Sequence, residues 1–335
     1  MNANRTRLLA CSLAAALLLG ACGSAGGDSD TDGKVAVVAS TDVWAAVARA
    51  IGGDQVKVEA IIDSSTADPH SYRATARDAA DVLDSDLVLY NGGGYDPFMT
   101  ELLGEAKASS LNAFRLSGHG EDGEHGHSHA SGHSHADGHG HADGHSHADG
   151  HSHADGHGHA HAGANEHVWY DPHAVARVAD ALARELGAQR PAAKQAFLDN
   201  AAAFKAKLDK LSGRIAGIAA AHEGSDVLAT SPMSHYLLTG AGLHSVTPAE
   251  FTEAVEEGSD IPILAQQHVK KLISTGAVEI VIQNVQTVTP AVGELVELAG
   301  KQGVPVLEVT ETLPAGEDYI SWMNAQVQAL TGALT

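Results

Sequence analysis

The stretch "AAKQAFLDNAAAFKAKLDKLSGRIAGIAAAH" (192–222) holds a helical pattern for roughly 30 residues with few breakers. Helices in globular proteins average about 10–14 residues. One of this length, rising about 1.5 Å per residue, runs the length of a two-lobed molecule. Working back from it, Pro191 ends the preceding helix. That helix opens at Asp171-Pro172, an N-cap with proline at the first helical position, and carries Val175, Val178, Ala179 and Leu182 at helical spacing. Further back, "KVAVVAS" (34–40), "VKVEAII" (56–62) and "LVLYN" (87–91) are apolar, β-branched runs of the kind that form buried strands. "TDVWAAVARAIGG" (41–53) reads as a helix between the first two. Downstream, strands at 226–229, 278–283 and 304–309 alternate with helices at about 234–240, 262–275, 290–301 and 318–332. This alternation predicts an α/β protein of two parallel-sheet lobes joined by one long rigid helix. The N-terminal lobe spans 34–170, the linking helices 171–222 and the C-terminal lobe 223–335.

The 335 residues suffice for two such lobes with cores of their own. A formal net charge of −22 argues against a nucleic-acid partner. At the N-terminus, Arg5 and Arg7 precede an apolar run from Leu8 to Leu19, too short to span a bilayer and stay there. The run ends in Leu19-Gly20-Ala21-Cys22, which resembles a bacterial lipobox. Residues 1–21 then form a signal peptide, with Cys22 the lipid-modified first residue of the mature chain. Two acyl chains anchor firmly where one is marginal. Residues 22–33, small, polar and Gly-rich, read as a flexible tether. The two cysteines are Cys11 and Cys22, so the mature body has no disulfide and no thiolate donor. Any metal site must use histidine and carboxylate.

Between 117 and 163 all periodicity stops. This insert holds most of the 22 histidines, and "HSHADGHGHADGHSHADGHSHADG" (133–156) repeats one six-residue phrase. Its composition predicts disorder without metal. Candidate accessory donors are His125, His127, His129, His133, His135, His139, His141, His145, His147, His151, His153, His157 and His159. Neutral imidazoles there offer weak, exchangeable zinc contacts that weaken as His protonates near pH 6. A formless loop pays an ordering cost to build a fixed shell. It is therefore expected to act as a low-affinity antenna serving a site elsewhere.

Four stretches lie at strand ends or helix starts, where ligands of open α/β sheets bind. "ADPHSYRAT" (67–75) holds His70; "NEHVWYDPHAV" (165–175) holds His167 and His173. A six-residue separation does not put those two imidazoles on one helix face. Trp169 and Tyr170 read as a core wall, and Asp171 either caps the helix or orients an imidazole. "ATSPMSHYLLTGAGL" (229–243) holds His235, and "VPVLEVTETLPAGEDYISWM" (304–323) holds Glu308 and Glu311. Two or three imidazoles with one or two carboxylates make a cage for Zn²⁺, or for a harder ion with more oxygens. No nucleophile elbow, H-E-x-x-H, phosphate loop or dinucleotide fingerprint occurs, so an enzyme is not expected.

The ordered series "DPHSY", "NGGGYDPFM", "EHVWYDPH", "VPVLEVTET" and "EDYISWM" resembles the zinc/manganese ABC-transporter substrate-binding proteins over about 34–335. The resemblance implies two lobes bridged by a rigid helix and one metal in the inter-lobe cleft. It also implies handover to an ABC permease with its ATPase. By motif it makes His70 and His167 ligands, with Glu311 the C-lobe carboxylate. The family pattern places a further donor five residues before Tyr236, where this chain has Ser231. His235, one helical turn later, is the expected third ligand, with Ser231 or a water as the alternative.

The expected function is a zinc receptor, extracytoplasmic, lipid-anchored to the outer face of the bacterial cytoplasmic membrane or periplasmic, and monomeric. Imidazole donors favour Zn²⁺ over Mn²⁺. A manganese receptor, or a metal-dependent surface adhesin on the same fold, is the alternative. A metallohydrolase would need a general base, and Glu308 is its one poor candidate.

Overall fold

The computed structural model describes residues 33–63, 68–104, 106–119 and 164–335. The signal segment, Cys22 with nearly all of the tether, and the accessory histidines from His125 to His159 lie outside the described residues.

The N-terminal lobe runs β1 (Val35–Thr41), α1 (Asp42–Gly52), β2 (Val56–Ile62), α2 (Ala76–Leu83), β3 (Leu87–Tyr90), α3 (Phe98–Leu103), β4 (Ser109–Asn112) and α4 (Ala113–Leu116). Its sheet is parallel in the order β2-β1-β3-β4, with Val37 between Val58 and Leu87. Next come α5 (Pro172–Gln189) and α6 (Lys194–His222). The C-terminal lobe runs β5 (Asp226–Ala229), α7 (His235–Gly240), β6 (His244–Ser245), α8 (Ala249–Glu256), α9 (Ile263–Ser274), β7 (Val281–Asn284), α10 (Pro290–Gln302), β8 (Val306–Val309) and α11 (Tyr319–Ala333). Its sheet, also parallel, has the equivalent order β6-β5-β7-β8. The central strands are buried on both faces, as helix-covered parallel sheets require.

Two parallel-sheet lobes and a long helix are what the sequence pattern predicts. That pattern does not reveal α2, α3, α4 and α8, or strands β4 and β6, all of them eight residues or fewer. The third C-lobe strand also starts later than expected, at Val281.

Helix α6 has 29 residues, which makes it about 43 Å long. Its buried positions, Phe197, Ala201, Phe204, Leu208, Leu211, Ile215 and Ile218, alternate four- and three-residue steps. That spacing keeps one straight stripe on one face. The stripe meets both lobes. Asn200 Nδ2 donates to the Ile51 carbonyl of α1 at 2.9 Å. Phe204 packs on Tyr319 of α11, with ring centres 6.0 Å apart. Arg214 Nη1 donates to Asn324 Oδ1 of α11 at 2.7 Å. One apolar core therefore continues from β1 and β3 through α5 and α6 to β5, β7 and α11. A separate core lies at the outer side of the C-lobe, built from Phe251, Ala254 and Val255 of α8 with Val269, Ile273, Val281, Val292 and Leu295. Among the described residues no helix is long and apolar enough to cross a membrane.

Candidate metal centre

The loop after β2 presents His70. Asp68 folds back over it, its Oδ1 accepting from His70 N at 2.9 Å and its Oδ2 from Ser71 Oγ at 2.7 Å. This local turn is the work expected of an Asp before proline. The loop after β3, "NGGGYDP" (91–97), closes on the buried Asp96 carboxylate, which accepts from Asn91 N and Gly92 N, both at 2.7 Å. Gly92 has φ 75°, and a Cβ there would sit 2.2 Å from Asn112 Nδ2. Only glycine fits both constraints. The loop so fixed delivers Tyr95, whose buried ring meets His70 edge-on at 4.9 Å and His167 at 5.6 Å.

His167 is fully buried, just before the 168–170 turn. Its backbone N donates to Asn165 Oδ1 at 2.9 Å, and its Nδ1 lies 3.0 Å from the same oxygen. Trp169 stands beside it at 5.1 Å between ring centres.

The C-lobe contributes carboxylates. Glu311, 1% exposed, follows β8. Asn284, at the end of β7, donates its Nδ2 to Glu311 Oε1, and Glu311 N donates to Gln286 Oε1. The second carboxylate is Glu256, the last residue of α8. Its Oε1 lies 3.1 Å from His70 Nε2 and 2.9 Å from His167 Nε2. These are charge-pair distances, yet His70 Nε2, His167 Nε2, both Glu256 oxygens and Glu311 Oε2 are buried with no aligned hydrogen-bond partner. Among the described residues, two sets of possible metal donors lie within 4.8 Å of one another: His70, Glu166, His167 and Glu256, and Asp68, His70 and Glu311.

Electrostatics bind this cluster together. Burial by itself pushes the His70 imidazole down, but the Glu256 carboxylate beside it, helped by Glu311 and Glu166, raises it to about 9. His167 is likewise raised: Glu256 overcomes its complete burial. Glu256 moves the other way. Burial opposes its charge, and the two imidazoles hold it below the usual carboxylate range. Glu311 is raised by burial and by repulsion from Glu256. The arrangement therefore suits two cationic imidazoles with Glu256, or two neutral imidazoles with a divalent cation in place of their protons.

The structure thus brings together His70, His167 and Glu311 from among the sequence candidates. It does not bring His235. That residue opens α7 with its ring exposed and 5.1 Å from the ring of Tyr236. Tyr236 instead turns toward the site, its OH donating to the Asn165 carbonyl at 2.6 Å. Neighbours on a helix point about 100° apart, so both cannot face the same way. Ser231 is buried ahead of the 232–234 turn. Glu308 is exposed on β8, away from the donor sets, and His173 is exposed too. Trp169 and Tyr170 are buried as a core wall. Asp171 serves both readings open to it: it accepts from His173 N as the cap of α5, and its Oδ2 lies 2.7 Å from His119 Nε2.

Sequence reasoning missed Glu256, and with it Glu166 and Asp68 of the two donor sets. One signal for Glu256 exists. A carboxylate in the last turn of a helix opposes the helix dipole, and "FTEAVEEG" (251–258) puts acids where a basic residue would serve stability better.

Residues 37–333 match the family described as "ZnuA: Zinc-uptake complex component A periplasmic". The manganese-binding lipoprotein MntA of Bacillus subtilis is 34% identical over 112 residues, 32% of this chain and 36% of that protein. The zinc-binding lipoprotein AdcA of Streptococcus pneumoniae is 25% identical over 346 residues, 94% of this chain and 58% of that protein. The chain thus spans between about a third and three-fifths of the length of these relatives. Among solved structures, the laminin-binding protein Lmb of Streptococcus agalactiae, described as bifunctional with adhesin and metal-transporting activity, has a similar fold. Its TM-score is 0.66 at 19% identity, covering 90% of this chain and all of that one.

Proposed function

The chain belongs to the zinc-uptake component A family, and on that premise we propose that it is an extracytoplasmic receptor that binds Zn²⁺ and delivers it to an ABC permease driven by a cytoplasmic ATPase. One observation supports the reading above the others: buried donor atoms of His70, His167, Glu256 and Glu311 that have no hydrogen-bond partner gather in one place. Each buried polar group left unpaired costs about 1–3 kcal/mol. With the imidazoles neutral these atoms need another partner, and a divalent cation satisfies them at once. Two neutral imidazoles and two carboxylates also offset its charge in full.

The cation is cargo, and no bond chemistry is involved. It sheds water, displaces protons from His70 and His167, and draws the carboxylates of one lobe toward the imidazoles of the other. With α6 packed on both lobes, the accompanying motion is small. Cys22 supplies the membrane anchor, the insert gathers zinc at low affinity, and the receptor acts as a monomer. Zinc is favoured by the imidazoles and the histidine-rich insert. A second reading, manganese as cargo, is favoured by the presence of two carboxylates instead of one, because oxygen donors suit the harder ion.

A competitive zinc titration tests this, on the lipid-free chain intact and with 118–162 deleted, each with and without His70→Ala plus His167→Ala. One tight site that survives the deletion and disappears with the double substitution is the expected result. Tight binding that leaves with the insert would overturn it. Repeating the titration with manganese decides between the two cargoes.

A further inference from the structure

We propose that Asn165 is the positioning residue of the centre: it fixes the face that His167 turns to the metal, and it ties that face to the C-lobe segment 232–236. The inference rests on the ligand role proposed for His167.

Asn165 makes four contacts, and together they assign its side chain. Its Oδ1 receives the backbone N–H of His167, so that atom is the carbonyl oxygen. Its Nδ2 donates to the Pro232 carbonyl at 2.9 Å, so that atom is the amide nitrogen. An amide oxygen only accepts. His167 Nδ1, 3.0 Å from Oδ1, must therefore be the ring nitrogen that carries hydrogen. Nε2 is left as the atom with a lone pair for metal, and it faces Glu256. Such a partner fixes both the tautomer and the plane of a ligating imidazole. The fourth contact is the bond from Tyr236 OH to the Asn165 carbonyl.

Two of these contacts, those to Pro232 and Tyr236, cross between chain segments far apart in sequence. Pro232 and Tyr236 lie in the segment that follows Ser231, the position where the resemblance places a further donor, and that contains His235. Among the described residues that segment provides no donor to either metal-binding set. It serves the centre through Asn165 instead, holding the amide that orients His167. For His70 the anchor seen among the described residues is on the backbone, from His70 N to Asp68 Oδ1. The two imidazoles thus differ in kind, one locked from behind and the other placed by its loop.

The test uses the full chain with one equivalent of Co²⁺ as a spectroscopic probe. Exchangeable ring N–H protons of cobalt-bound histidines appear as separate shifted proton resonances, and His167→Ala identifies that of His167. Asn165→Leu keeps the bulk and removes the acceptor. It is expected to weaken cobalt and zinc affinity by roughly ten- to a hundredfold and to speed solvent exchange of the His167 ring N–H until its resonance broadens away. Asn165→Asp restores an acceptor and is expected to recover the resonance. Tyr236→Phe, which leaves the amide in place, gives a smaller loss and guards against a folding defect in the leucine variant. An unchanged resonance and unchanged affinity in Asn165→Leu would overturn the inference while leaving the centre intact. A spectrum at one equivalent that His167→Ala does not alter would instead overturn the ligand role of His167 itself.

Discussion

The two lobes have the same sheet order but bring opposite chemistry to the cleft. The N-lobe side offers His70 and His167, two bases walled by Tyr95 and Trp169. The C-lobe side offers Glu256 and Glu311, two acids buried to within a few per cent of full enclosure in one case and 9% side-chain exposure in the other. Neither pair is stable alone: two buried carboxylates repel, and two buried imidazolium ions repel. Each lobe completes the other's charge. A cleft of this kind needs both faces even before cargo arrives.

The sharpest way to break this comparison is to empty one face. His70→Ala with His167→Ala should remove tight zinc binding altogether, a loss beyond the hundredfold that indirect support of a ligand can cost, read by competition with a chromophoric chelator. On the opposite face, Glu256→Gln keeps the volume and deletes one charge. Zinc affinity should fall roughly tenfold or more and manganese affinity further still, since the harder ion depends more on oxygen; paired titrations with the two metals show the ratio.

The third test is pH. The folded value for His70 is raised from 6.5 to about 9. A raised imidazole gives the metal-free protein stability that is fully present below 6.5 and is lost as pH climbs through about 9. Thermal melting of the metal-free protein should therefore decline across that window, and zinc affinity should rise across it as the competing proton leaves. In Glu256→Gln, where burial acts unopposed by that carboxylate, both trends should move to lower pH. The smallest effect is expected from His235→Ala: the exposed ring takes no part in either donor set, and zinc affinity should be unchanged.

How much of this was legible in the sequence differs between the same two faces. His70 and His167 sit in short motifs whose local chemistry is self-contained: an Asp-Pro turn, and a cap-and-proline helix start two residues past the tryptophan. Glu311 follows a strand whose apolar run is plain. The long helix announces itself through the four-three spacing from Phe197 to Ile218. Glu256 did not, because nothing in "FTEAVEEG" distinguishes the acid that turns inward from Glu257 beside it. Its role depends on contacts to residues 70 and 167, far away in the chain. His235 misled for the complementary reason. Its residue type is right and its position close, but the helix phase gives the inward direction to Tyr236, and phase at a helix's first residue is fixed by the 232–234 turn, not by any periodic pattern.

The apolar interior is divided in a way that bears on how cargo leaves. His167 rides on a segment anchored to the continuous core that α6 threads, and His70 on a loop whose neighbours Ile62, Tyr72 and Ala74 pack in a third core within the N-lobe, whereas Glu256 ends a helix whose Phe251, Ala254 and Val255 belong to the outlying one. Loosening of the outlying layer withdraws an acid from the cleft and leaves the strut, both sheets' inner faces and the imidazoles where they are. On the proposed reading, unloading at a permease would take a local opening of this one eight-residue helix, with the rest of the molecule folded as the chassis.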